Sequence, residues 1–111
     1  MAVYVQVQTT VESAEEGAAL ARSITEARLA ACVQISGPIT SVYWWQGEIE
    51  EAEERQLFIK TTADRLTALE EHIKARHGYD TPEIIVVPII AGSADYLRWV
   101  AEETRHPEVA P

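Results

Sequence analysis

The sequence predicts an α+β fold: one antiparallel sheet, two helices on a single face of it, and one further helix near the C-terminus. Three observations carry this reading. Extended stretches rich in β-branched residues recur at Val3–Thr9, Thr40–Trp45 and Gln56–Thr61. Apolar residues at helical spacing follow two hydroxyl residues suited to capping, Ser13 and Thr62. A fourth stretch, Ile84–Ile90, is apolar at every position.

Val3, Val5 and Val7 alternate with Tyr4, Gln6 and Gln8, the period of a half-buried strand. Ser13 and Glu16 then form a capping-box pattern, in which hydroxyl and carboxylate each accept a backbone N–H that the first helical turn leaves free. Leu20, Ile24, Ala27 and Ala31 recur at helical spacing, so a helix is expected from about Ser13 to about Leu29. Cys32–Ile35 reads as a strand, Gly37-Pro38 as a bend or bulge, and Thr40–Trp45 as its continuation. Gln46-Gly47 suits a hairpin turn because Gly accepts positive φ. The acidic run Glu48–Glu54 leads into Gln56–Thr61, which makes one long hairpin with carboxylates at its far end.

Thr62 is the expected cap of the second helix, with Leu66, Leu69 and Ile73 on its buried face and Gly78 ending it in a left-handed conformation. Asp80-Thr81-Pro82 reads as a loop and Glu83–Ile90 as the fourth strand. Ser93 caps a short last helix with Tyr96, Leu97 and Val100 on one face, and 106–111 is a tail. The order β-α-β-β-α-β-α begins with the split β-α-β of ferredoxin-like domains, whose helices cover one sheet face and whose fourth strand is an edge.

The 111 residues suffice for one core, and 1–111 reads as a single domain. The longest apolar run, Ile84–Gly92, is too short to cross a bilayer, and the N-terminus lacks a basic region and an apolar signal core. A cytoplasmic protein is expected. A net charge of −9 argues against nucleic acid and anionic membranes as partners, since phosphate recognition needs clustered Lys and Arg. The single cysteine, Cys32, forms neither an intrachain disulfide nor a CxxC motif.

A lone subunit is expected to be incomplete. A strand with one wet face alternates, but Ile84–Ile90 does not, and helices can bury only one of its sides. Pro88 lacks an N–H and fits an edge. Tyr43, Trp44 and Trp45 are consecutive, so at least one ring points away from the helical layer. Burying such a ring is worth about 2–3 kcal/mol, which makes a subunit interface its natural destination.

Several blocks, in order, resemble the CutA family of divalent-cation-tolerance proteins. They are Ala31-Cys32-Val33, Thr40 to Ile49 with its Tyr-Trp-Trp-Gln-Gly-Glu centre, Lys60-Thr61, His77 to Ile84, and Asp95 to Trp99. The resemblance implies a ferredoxin-like subunit in a homotrimer built by sheet pairing, similar in architecture to PII signalling proteins with their intersubunit ligand clefts. It also implies an association with tolerance to copper and other divalent metals.

Candidate chemistry is sparse. The ligand set suggested for some members of that family has a Cys at the end of the first strand and two adjacent His after the second helix. Here Gln8 and Arg76 stand at the Cys and first His positions, which leaves His77 as the candidate residue for Cu(II) or another divalent cation. Copper and zinc sites want several His or Cys in fixed geometry, and Cys32, His72, His106 and Met1 show no such spacing. The acidic run Glu48, Glu50, Glu51, Glu53, Glu54 lacks a calcium-loop pattern and reads as a solvated hairpin tip. Trp45, Lys60, Tyr79 and Glu83 lie in the matching blocks, and in the implied trimer they can line an intersubunit cleft for a small molecule, with aromatic faces, one cation and one carboxylate. No Ser–His–Asp or Cys–His constellation and no Gly-rich phosphate loop is evident, so no enzyme is expected.

Overall fold

Strand β1 (Tyr4–Val11), helix α1 (Ala14–Glu26), strands β2 (Cys32–Trp45) and β3 (Glu48–Thr62), helix α2 (Leu66–Arg76), strand β4 (Ile85–Ile89) and helix α3 (Ala94–Glu103) follow one another along the chain. They are seen in a computed structural model that describes residues 3–105. Met1 and the tail at 106–111 lie outside the described residues. The strands form one antiparallel sheet in the order β2-β3-β1-β4, which is the expected ferredoxin-like arrangement with an added C-terminal helix.

One face of the sheet carries α1 and α2. Val5, Val7, Leu57 and Ile59 point into this layer and meet Leu20, Ile24, Leu69 and Ile73. The period-two and helical patterns of the sequence interlock here, because each element has one apolar side to bury. Helix α1 lies very close to the sheet. A Cβ on Gly17 would stand 3.3 Å from Val11, 3.4 Å from Ile35 and 3.5 Å from Leu57.

Ser13 caps α1, its hydroxyl accepting the Glu16 N–H at 3.1 Å, but among the described residues the Glu16 carboxylate does not return the bond, so only half of the expected capping box forms. The helix ends at Glu26, earlier than its apolar spacing suggested. Arg28 takes φ 60°, while the N–H of Leu29 bonds the Ile24 carbonyl and that of Arg28 the Thr25 carbonyl. This is the Schellman ending, built on Arg instead of Gly. Thr62 does not cap α2. A 3-10 turn, Ala63–Arg65, intervenes, and the Thr62 hydroxyl instead meets that of Thr104 at 3.4 Å. Nor is Gly78 left-handed: α2 gives way at His77 to extended backbone.

Strands β2 and β3 form the long hairpin the sequence implied. Its turn holds Gln46 at φ 50° and Gly47 at φ 83°, the two positive values that match a hairpin's twist. A bulge lies between the pairs Ile35↔Leu57 and Pro38↔Arg55. Past it the hairpin runs beyond the helical layer. There Val42, Trp44 and Ile49 share one face and Tyr43 and Trp45 the other, and all five are exposed, Trp44 to 72%.

Among the described residues, the second sheet face is covered only at one end. Helix α3 lies over Thr62 and places Tyr96 beside half-buried Cys32, with the Arg28–Glu103 pair at 2.6 Å tying it to the end of α1. Of the residues expected on the buried face of α3, Val100 is buried and Tyr96 is exposed. Strand β4 is the expected edge, shorter than predicted, with Ile85, Val86 and Val87 exposed.

Candidate functional site

The loop that leaves α2 crosses the end of β1 and reaches the base of the hairpin, and side chains distant in sequence converge there. His77 is fixed through both ring nitrogens. Nε2 lies 2.6 Å from the Thr10 carbonyl, and Nδ1 accepts the Tyr79 N–H at 3.0 Å. A carbonyl can only accept and a backbone N–H can only donate, so this pattern requires the neutral Nε2–H tautomer. The ring itself therefore makes the turn that Gly78 was expected to make. The His77 and Tyr79 rings are 4.8 Å apart.

The Tyr79 hydroxyl donates to Glu54 at 2.7 Å. Glu54 is only 7% exposed, which corrects the reading of the whole acidic run as solvated. Burial pushes the Tyr79 hydroxyl above its ordinary range, and the bond to Glu54 and the charges of Glu54 and Glu12 add to this. Glu83 is raised as well, first by burial and then by the charge of Glu54. Tyr79, Glu54 and Glu83 thus form one acidic group beside the hairpin base. Glu54 is the member sequence reasoning missed, and nothing in its string of glutamates distinguishes it.

The other predicted residues lie elsewhere. Lys60 pairs in register with Cys32 and Gln6 on the open sheet face, hydrogen-bonds Gln34, and lies 5.8 Å from the Phe58 ring. Trp45 sits beside the hairpin turn, opposite Glu48. At about 3.3 Å per residue, Lys60 and Trp45 are roughly 40 Å apart along the hairpin. Tyr79 and Glu83 therefore share a neighbourhood, whereas Trp45 and Lys60 lie at opposite ends of the subunit.

The donors for a metal are equally dispersed. No group of three or more His, Cys, Asp or Glu suited to a metal ion occurs among the described residues. Gln8 lies on β1 and Arg76 ends α2. His72 Nε2 lies 2.9 Å from the Ser23 hydroxyl, and Cys32 lies beside Tyr96. A cation at His77 has to draw a ring nitrogen away from Thr10 or Tyr79. No helix among the described residues is long and apolar enough to cross a membrane.

Comparison with known proteins places this geometry. The sequence profile of the CutA1 divalent ion tolerance protein family matches residues 5–103. A rice (Oryza sativa subsp. japonica) protein described as "Protein CutA 1, chloroplastic" is 48% identical over 89% of this chain, and the match spans 56% of the rice protein's length. The divalent-cation tolerance protein CutA of Thermus thermophilus is 45% identical over 86% of this chain and 92% of its own. The crystal structure of CutA1 from Oryza sativa superposes with a TM-score of 0.90 at 47% identity, covering 93% of this chain and 94% of that one.

Proposed function

Because the chain belongs to the CutA1 divalent ion tolerance protein family, we propose that it serves divalent-ion tolerance as a homotrimer, a binding and structural protein rather than an enzyme. The observation that carries this reading is the bare hairpin. Val42, Trp44 and Ile49 on one face and Tyr43 and Trp45 on the other have no covering layer among the described residues of one subunit. Among the described residues both sheet edges, β2 and β4, are unpaired as well, and β4 is apolar. A hairpin with apolar rings on both faces is satisfied when neighbouring copies enclose it, and a closed ring leaves no copy uncovered.

The same geometry supports a small-molecule site of the PII-like kind. Trp45 and Lys60 are too far apart to act together in one subunit, so with Tyr79 and Glu83 they can line a common cleft only across copies. The metal reading is narrower. The described donors do not enclose an ion within one subunit, so a divalent cation such as Cu(II) is held weakly, with His77 as its candidate ligand. We place this activity in the cytoplasm.

Sedimentation of the chain and of Trp45→Ala at micromolar concentration tests the assembly. The parent chain should sediment as a trimer and the variant should shift toward smaller species, each lost ring costing about 2 kcal/mol of burial. A well-folded single copy of the parent chain would overturn the reading. Calorimetry with Cu(II) tests the metal: weak heat that His77→Ala abolishes supports the assignment, and heat unchanged by that substitution removes it.

A further inference from the structure

A cleft of about 360 Å³ opens on the helical side of the subunit, between α1 and the end of α2. Buried Val11 and Leu20 supply apolar lining, and Glu16, Ser23, Arg76 and His77 supply polar groups. Two of the four polar residues are already satisfied. The Ser23 hydroxyl gives its hydrogen to the Leu20 carbonyl at 2.9 Å, which leaves its oxygen to accept from His72 Nε2 at 2.9 Å. Both ring nitrogens of His77 are occupied by Thr10 and Tyr79. Burial and the Arg76 charge lower the pKa of His72, so His72 adds no charge near neutrality.

Glu16 and Arg76 remain. They come from opposite walls, one from the first turn of α1 and the other from the last residue of α2. Neither is ion-paired among the described residues. A cleft with an apolar floor, one carboxylate and one guanidinium without ion pairs on facing walls matches a ligand that carries both charges and a hydrocarbon. We propose that this cleft binds a small zwitterion of the aliphatic α-amino acid class, its carboxylate on Arg76, its ammonium on Glu16 and its side chain against Val11 and Leu20.

The volume falls in the range of small-molecule sites, about 300–1,000 Å³. The site lies wholly within one subunit, so it stands or falls separately from the trimer and from the intersubunit cleft. His77 is nonetheless a wall of this cleft and the neighbour of Tyr79, so occupancy reaches the Tyr79–Glu54 group through one fixed ring.

Amide NMR of the full chain titrated with L-leucine, L-valine or L-methionine tests the proposal. At least one of them should shift Ser23, His77 and Gly78 saturably in the millimolar range. For leucine, 4-methylpentanoate lacks the ammonium and 3-methylbutylamine the carboxylate. Each should bind about tenfold more weakly, the effect of losing one charge-assisted hydrogen bond. Arg76→Gln and Glu16→Gln, both at exposed positions, should each weaken amino acid binding by about the same factor. Absence of saturable shifts with all three amino acids at about 20 mM, far above ordinary metabolite affinities, overturns the proposal. So does parent-like binding by both variants; if Arg76→Gln does not fold, Glu16→Gln alone decides.

Discussion

The two halves of strand β3 have the same backbone pairing and opposite surroundings. From Leu57 to Thr61 its inward side chains are fully buried under α1 and α2, while from Glu48 to Glu53 none is buried. Both halves are hydrogen-bonded to β2 along their length. Pairing alone therefore makes a strand, and only a second layer makes a core. The inner half draws its stability from its own chain. The outer half displays apolar surface that no other described residue of the chain covers.

The largest test of this contrast is truncation on either side of it. Leu57→Ala should cost about 3 kcal/mol in denaturant unfolding, at any protein concentration, because the cavity opens inside one subunit. Ile49 is exposed, so under the proposed trimer Ile49→Ala should show a cost that grows with protein concentration. A concentration-independent cost at Ile49 equal to that at Leu57 would erase the distinction. Gly47→Ala comes next. At φ 83° an added Cβ should destabilise the hairpin by about 1 kcal/mol, read as a lower unfolding midpoint. An unchanged midpoint would mean the turn does not hold the outer half in place.

The smallest effect lies at Glu83, where the two halves meet. Burial and the charge of Glu54 raise its folded pKa above the ordinary value of 4.5. The folded chain thus binds this proton more tightly than the unfolded one. The stability it contributes is complete below pH 4.5 and is lost as pH rises through the folded value. Glu83→Gln should therefore raise the melting temperature at pH 7, by the equivalent of less than about 1 kcal/mol, and leave it unchanged at pH 4. A gain of equal size at both pH values would assign the effect to something other than ionisation.

The legibility of the sequence divides along the same line. Local patterns named the strands, the Gln46-Gly47 turn and the uncovered fourth strand, because period and turn chemistry are properties of neighbouring residues. Contacts between distant residues were invisible. Tyr79 reaches Glu54 across 25 positions and His72 reaches Ser23 across 49, and neither pair has a spacing rule. Gly78 was misread because the His77 side chain, not a left-handed glycine, supplies the turn. Thr62 was misread because its hydroxyl found Thr104 of the last helix instead of the next helical turn. The candidate ligand residues were legible as chemical types but not as a constellation, since Tyr79 and Glu83 share a neighbourhood while Trp45 and Lys60 lie far from each other along the hairpin.

The bulge after Ile35 has a consequence for how such chains can change length. It adds one residue to β2, so odd-numbered side chains lie on the helical side before it and even-numbered ones after it. Removing that residue would restore an unbroken alternation and leave Pro38 opposite Arg55, Trp44 opposite Ile49 and Trp45 opposite Glu48, each on its present face, because β3 carries no extra residue of its own. The root of the hairpin can thus lose one residue and keep the same side chains on each side of the ribbon.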